Sequence, residues 1–158
     1  MLVSKQNSQN LLISNYLSAA LVKFLDVNHR DAALASLVNS LHEEGKLKDK
    51  EAFHHAILER EAIVSTAIGM GVAVPHAKLS EYQTFFIAIG IHLKGLSWDA
   101  LDGVPVRLIF MIGGPDDRQT EYLQLLSRLT LAIKDEERRK KLLQFTNPED
   151  IIALFRGI

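Results

Sequence analysis

The chain has 158 residues, enough for one domain that buries roughly 70% of the surface its unfolded form exposes. With 18 basic against 19 acidic side chains the formal net charge is −1, which leaves no global field to draw nucleic acid or an anionic membrane and makes a protein the default partner. Cysteine is absent, which excludes disulfides, thiolate metal ligation and a cysteine nucleophile.

Residues 1–10 read as a loose polar leader, and the following run from Leu11 to Leu25 is interrupted by Ser14, Asn15, Ser18 and Lys23. It lacks the pattern of a secretory signal and the about 20 apolar residues of a membrane span, so no membrane insertion and a cytoplasmic location are expected. Residues 11–158 read as a single domain. Leu21 to Val27 alternates as a strand. Asn28 is then placed to cap a helix whose apolar face is Ala32, Ala33, Leu34, Leu37, Val38 and Leu41, with Gly45 as its stop. His42, near the helix end, suits the dipole there.

Asp49 caps a second helix with Phe53, Ala56 and Ile57 on its buried stripe, which brings Arg60 to the C-terminal turn. His54 and His55 are adjacent and point in different directions, and the chain has no His-x-x-x-His pairing, so no metal and no other cofactor is expected. Glu59 and Glu61 flank Arg60 and either orient it or stay solvated.

The segment that follows has the chemistry of a site. Gly69 and Gly71 let the backbone turn, and Pro75 fixes its own φ and extends Val74, so His76 sits on a stiff mount in a loop expected to be exposed. His76, Arg60, Ser65 and Thr66 together offer a nucleophilic ring nitrogen, a forked cation and two neutral donors, the parts needed to hold a phosphoryl group.

Beyond the site, Phe85 to Leu93 and Val106 to Ile112 are apolar runs expected of strands covered on both faces, with His92 a hydrogen-bonded strand-end residue and Arg107 at an exposed edge. After Gly113-Gly114-Pro115, Asp116 or Asp117 should cap a third helix with Tyr122, Leu125, Leu126, Leu129 and Ile133 on one face. A fourth helix runs from about Glu136 to Phe145, with Arg138-Arg139-Lys140-Lys141 on a solvated, charge-balanced side. Asn147-Pro148-Glu149 starts a last helix ending near Arg156. Helices and strands alternate without βαβ regularity, which implies an α/β fold with a small mixed sheet flanked by helices.

The order Glu59-Arg60-Glu61, Ser65-Thr66, Gly69-Met70-Gly71, Ala73 and Pro75-His76-Ala77, followed by Asp102-Gly103-Val104-Pro105-Val106, resembles the IIA domains of the bacterial phosphoenolpyruvate-dependent phosphotransferase system, in the fructose, mannitol and nitrogen-regulatory branch. The resemblance implies a IIA mannitol/fructose-like fold and a phosphocarrier in which His76 accepts a phosphoryl group from an HPr-like protein and Arg60 neutralises it. Ser65 and Thr66 would donate hydrogen bonds or brace the loop. The group would pass to a IIB cysteine or serve as a signal to a regulatory target. With no fused IIB or permease segment in the sequence, the nitrogen-regulatory type is expected. The alternatives are a stand-alone sugar-transport IIA and a docking regulator that does not need phosphorylation. One position departs from the family pattern. Many of these domains carry a second site histidine followed by leucine, and spacing from Pro115 puts Tyr122-Leu123 there. Tyr122 either donates to a phosphoryl oxygen or is a half-buried helix residue with a wet hydroxyl.

Overall fold

The computed structural model describes residues 11–158, so the leader expected at residues 1–10 lies outside the described part. Six strands form one mixed sheet: β1 (Val22–Phe24), β2 (Ala67–Gly69), β3 (Val72–Ala73), β4 (His76–Lys78), β5 (Phe86–Leu96) and β6 (Val106–Gly114). The order is β1-β5-β6-β3-β2, with β4 also pairing with β6. The helices are α1 (Arg30–Glu43), α2 (Lys50–Ile63), α3 (Gln119–Lys134), α4 (Glu136–Gln144) and α5 (Pro148–Ala153), preceded by 3₁₀ turns at Ile13–Tyr16 and Ala19–Leu21. No helix of the described part is long and apolar enough to cross a membrane.

The central hairpin of β5 and β6 is buried on both faces, and its side chains alternate between two cores. Ile87, Ile89 and Ile91 pack with Leu108, Phe110 and Ile112 under Tyr122, Leu125, Leu129 and Ile133 of α3, with Leu142 and Ile151 from the next two helices. On the other face Phe86, Ala88, Ile109 and Met111 meet Leu34, Leu37 and Leu41 of α1 and Phe53 and Ile57 of α2. The result is the α/β sheet flanked by helices that the alternation of elements implies.

Several local signals act as the sequence implies. Asp49 Oδ1 accepts from Ala52 N at 3.1 Å to start α2, and Asn147 Oδ1 accepts from Glu149 N at 2.8 Å ahead of Pro148. Gly45, at φ 71°, ends α1 in a Schellman arrangement: Lys46 N bonds Leu41 O and Gly45 N bonds His42 O, each at 3.0 Å.

Other expectations change. The cap of α1 is His29, whose Nδ1 accepts from Ala32 N at 3.2 Å, and Asn28 lies one residue outside. Asp116 and Asp117 cap nothing: α3 begins at Gln119 after Arg118, with no side-chain cap, and Glu121 supplies the negative charge of its first turn. The start of α3 follows from its buried face, Tyr122, Leu125, Leu129 and Ile133, meeting the sheet. The strand expected over residues 21–27 shrinks to Val22–Phe24, because Leu21 belongs to a 3₁₀ turn. The expected strand Phe85–Leu93 runs on to Leu96 through an irregularity between Ile91 and Leu96, and α5 gives way to turns after Ala153. His92 sits at that irregularity. Its Nε2 donates to Val27 O at 2.6 Å and its Nδ1 accepts from Gly95 N at 3.0 Å, so it is wholly occupied in bracing the strand.

Arg138 and Arg139 are half-buried, not solvated. Arg138 donates to Ala132 O and to Leu154 O, both at 2.9 Å, and Arg139 donates to Ile133 O at 2.7 Å. They satisfy the orphan carbonyls that end α3, and Arg138 ties that end to the chain after α5.

At Gly113, in register with Ala77 of β4, an added Cβ would lie 2.4 Å from Phe86 Cε1 and 2.7 Å from Phe53 Cε1. Gly113→Ala should therefore lower unfolding stability by about 1–3 kcal/mol through overpacking, read as a lower urea midpoint with an unchanged slope.

Candidate functional site

The segment from Ala67 to Lys78, expected to be a loop, is three short strands. β2 and β3 form a tight antiparallel hairpin whose tip, Gly69-Met70-Gly71, has φ values of 90°, 62° and 75°. Left-handed backbone costs little at glycine but is strained at Met70. Asp102 holds that residue in place. Its carboxylate accepts from Met70 N at 3.0 Å and from Val104 N at 3.1 Å, and these two bonds keep its pKa below the usual carboxylate value.

From Gly71 to Leu79 the chain runs parallel to β6. Gly71 O accepts from Arg107 N and Leu108 N, Pro75 O accepts from Ile112 N at 2.9 Å, and Leu79 N donates to Gly114 O. Pro75 has no donor to lose and is tolerated in this line because its carbonyl makes the ladder bond. Strand alternation then puts Ala73 and Ala77 toward α1 and α2 and Val74 and His76 toward α3. His76 is thus the half-buried first residue of β4, and not the exposed loop residue expected.

His76 Nδ1 lies 3.1 Å from Val74 O. A carbonyl only accepts, so in the neutral ring the proton is on Nδ1 and the Nε2 lone pair is free. Burial lowers the His76 pKa below its ordinary value of 6.5. The Val74 carbonyl opposes this, the charges of Arg60 and Lys78 reinforce it, and Glu61 weakly opposes it. The ring is therefore neutral and nucleophilic at pH 7.

A cleft of about 200 Å³ brings His76 together with Arg60, Ser65, Thr66 and Tyr122, over Ile68, Val74 and Leu126. All five expected site residues line it. Arg60, in the last turn of α2, donates from Nη1 to Val64 O at 2.9 Å, leaving the rest of its guanidinium available. The Tyr122 ring is buried 5.6 Å from the His76 ring and 6.0 Å from that of Phe85. Burial also raises the Tyr122 pKa, so its hydroxyl keeps its proton.

Ser65 and Thr66 face the cleft with their hydroxyls committed elsewhere. Ser65 Oγ donates to Trp98 O at 2.5 Å, and Thr66 Oγ1 donates to Glu61 at 2.6 Å. Glu61, neither solvated nor paired with Arg60, is buried and also accepts from Thr66 N at 2.7 Å and Trp98 Nε1 at 3.2 Å. Two residues escape the sequence reading. Glu61 was legible only as a charge beside Arg60, because its donors come from Thr66 and Trp98. Lys78 could have been found by alternation from His76. Its Nζ lies 4.1 Å from the centre of the Tyr122 ring and donates to Gln119 Oε1 at 2.8 Å, placing a cation beside the site. Among the described residues no group of three or more His, Asp or Glu side chains is placed to hold a metal ion.

Glu61→Leu would leave the Thr66 N–H, the Thr66 hydroxyl and the Trp98 indole N–H without their acceptor. Loss of about 1–3 kcal/mol of stability is expected, with a changed emission of Trp98, measured by denaturation and fluorescence.

Residues 15–157 match the model of the family described as "Phosphoenolpyruvate-dependent sugar phosphotransferase system, EIIA 2". The "PTS system fructose-specific EIIABC component" of Bacillus subtilis is 36% identical over 82% of this chain, which spans 20% of that protein. The "Nitrogen regulatory protein" of Bradyrhizobium diazoefficiens is 30% identical over 78% of this chain and 80% of its own length. The crystal structure of nitrogen regulatory protein IIA-Ntr from Neisseria meningitidis superposes with a TM-score of 0.83 at 26% identity, covering 90% of this chain and 98% of that one. A family match running from the 3₁₀ turns through the histidine cleft to the turns after α5 means that the chain belongs to the EIIA 2 family of the phosphoenolpyruvate-dependent sugar phosphotransferase system.

Proposed function

We propose that this protein is a cytoplasmic phosphocarrier whose His76 accepts a phosphoryl group from a phosphohistidine on an HPr-like protein. The observation that carries this reading is the Nδ1 bond to Val74 O, which leaves the Nε2 lone pair of a neutral ring free in a cleft beside Arg60. The lone pair attacks phosphorus, the donor's P–N bond breaks, and its electron pair returns to the donor imidazole. His76 then carries a phosphoramidate, with Nδ1–H still donating to the Val74 carbonyl. Such transfer asks for positioning and charge stabilisation. Arg60 forks onto the phosphoryl oxygens, Tyr122 donates its hydroxyl, and Lys78 supplies the cation that a tyrosine cannot. Ser65 and Thr66 act as braces.

A protein donor suits the surroundings. Ile63 and Val64 follow Arg60 with 78% and 59% exposure, and Leu123 next to Tyr122 is 52% exposed, so apolar contact area flanks the cleft. The group then passes to a IIB cysteine or marks the protein for a regulatory target. The likeness to proteins named nitrogen regulatory supports the second role, and the likeness to fructose- and mannitol-specific components supports the first.

Incubation with phosphoenolpyruvate, enzyme I and an HPr-like protein, followed by intact mass and site mapping, should add one phosphoryl group at His76. His76→Ala should abolish it with the fold retained, while Arg60→Lys should slow labelling about ten- to hundredfold as the planar two-pronged contact is lost. Full labelling of the alanine variant would overturn the assignment.

A protonated ring has no lone pair to offer, and the His76 pKa lies below 6.5. Labelling should therefore be flat above that pH and fall only in more acid solution. Lys78→Met removes a cation that disfavours protonation, so its acid fall should begin at a higher pH than in the wild type. Coincident pH profiles would show that Lys78 does not act on His76.

A further inference from the structure

A second cleft, of about 250 Å³, lies on the other side of the β2–β3 hairpin from the phosphorylation cleft. Ile68 of this hairpin lines the cleft around His76, whereas Met70 and Gly71 line the second one. Three cations, Arg107, Arg139 and Lys140, face it against one carboxylate, Glu136. Beyond its backbone N–H, which bonds Gly71 O, Arg107 makes no hydrogen bond or ion pair through its side chain among the described residues. Lys140 forms loose, exposed pairs with Glu136 at 3.8 Å and with Glu137, outside the cleft lining, at 3.7 Å, which contribute little to stability and are readily exchanged for another partner. The floor is apolar, with Pro105, Leu108 and Leu143 beside Met70.

We propose that this cleft binds a small organic anion, with a phosphate or carboxylate head on the three cations and a compact apolar body on the floor. Guanidinium forks favour a planar or tetrahedral oxyanion, and the floor gives no partners to a hydroxyl-rich sugar body. The cavity is smaller than the roughly 300–1,000 Å³ of pockets for drug-sized ligands, which fits a single ring or short chain.

The occupant acts on the hairpin. Arg139 Nη1 lies 3.5 Å from Met70 Sδ while holding Ile133 O, so it links α3, α4 and the hairpin tip. Gly71 O accepts from Arg107 N at 2.8 Å and Leu108 N at 3.1 Å, and Gly71 opens the run that ends in Pro75-His76. An anion that draws Arg107 and Arg139 together displaces a wall shared with the phosphorylation cleft.

The test is an NMR titration of the protein with phenyl phosphate, phenol and inorganic phosphate. Phenyl phosphate should saturate with shifts at Met70 and Arg139, at least about tenfold tighter than either fragment, and Arg107→Gln should weaken it about tenfold while Arg60→Gln leaves it unchanged. No saturation by about 10 mM, equal binding of inorganic phosphate, or loss in Arg60→Gln but not in Arg107→Gln overturns the proposal. In a second arm, which rests on His76 being the acceptor, saturating phenyl phosphate should change the labelling rate at least about twofold. An unchanged rate overturns the coupling. A protein that is never labelled at all would count against the acceptor reading and leave the binding result standing.

Discussion

The parallel pairing of residues 71–79 with β6 is the constraint on which the site depends. β6 is buried at all but one of its nine residues, so a segment bonded along it inherits a rigid register. A slip of one residue would send Ala77 to the cleft and His76 into the core formed with α1 and α2. Pro75 helps to prevent that slip because its missing N–H fits only where no donor is needed. The paired glycines of β6 help as well, since Phe85 and Phe86 fill the space that side chains at Gly114 and Gly113 would take.

The electrostatics of the cleft follow from the same geometry. Arg60 and Lys78 approach His76 from α2 and from the strand itself, and both disfavour a second proton on the ring. Phosphorylation would bring about two negative charges to the same spot. In the proposed carrier role the cations that add to burial in keeping the ring neutral would also be the ones to stabilise the phosphorylated ring, so one arrangement would serve both states. Glu61 opposes them only weakly, its carboxylate being held by three donors from Thr66 and Trp98.

Much of this was legible in the chain. Asp49, Gly45 and Asn147 act through neighbours within four residues, and such local bonds are visible as patterns. The apolar runs of β5 and β6 announce themselves by continuity, and the spacing of Tyr122, Leu125, Leu129 and Ile133 by period. β2, β3 and β4 were not legible, because each is too short to persist alone and exists through its partner. The same holds for Arg138 and Arg139. Their sequence is that of a solvated basic run, while their bonds are to carbonyls of a different helix. Asp116 and Asp117 have the composition of a cap, but the packing of α3 on the sheet moved the helix start beyond them.

His92 and His76 show what backbone partners do to identical side chains. Val27 O draws the proton of His92 to Nε2, and Gly95 N–H occupies the lone pair left on Nδ1. Val74 O draws the proton of His76 to Nδ1, and nothing in the described chain occupies the other nitrogen. The two imidazoles are locked in opposite tautomers, one with its basic face turned inward and spent, the other with it turned outward. A single carbonyl oxygen on one side or the other of the ring thus makes one histidine a strut and leaves the other a lone pair to offer.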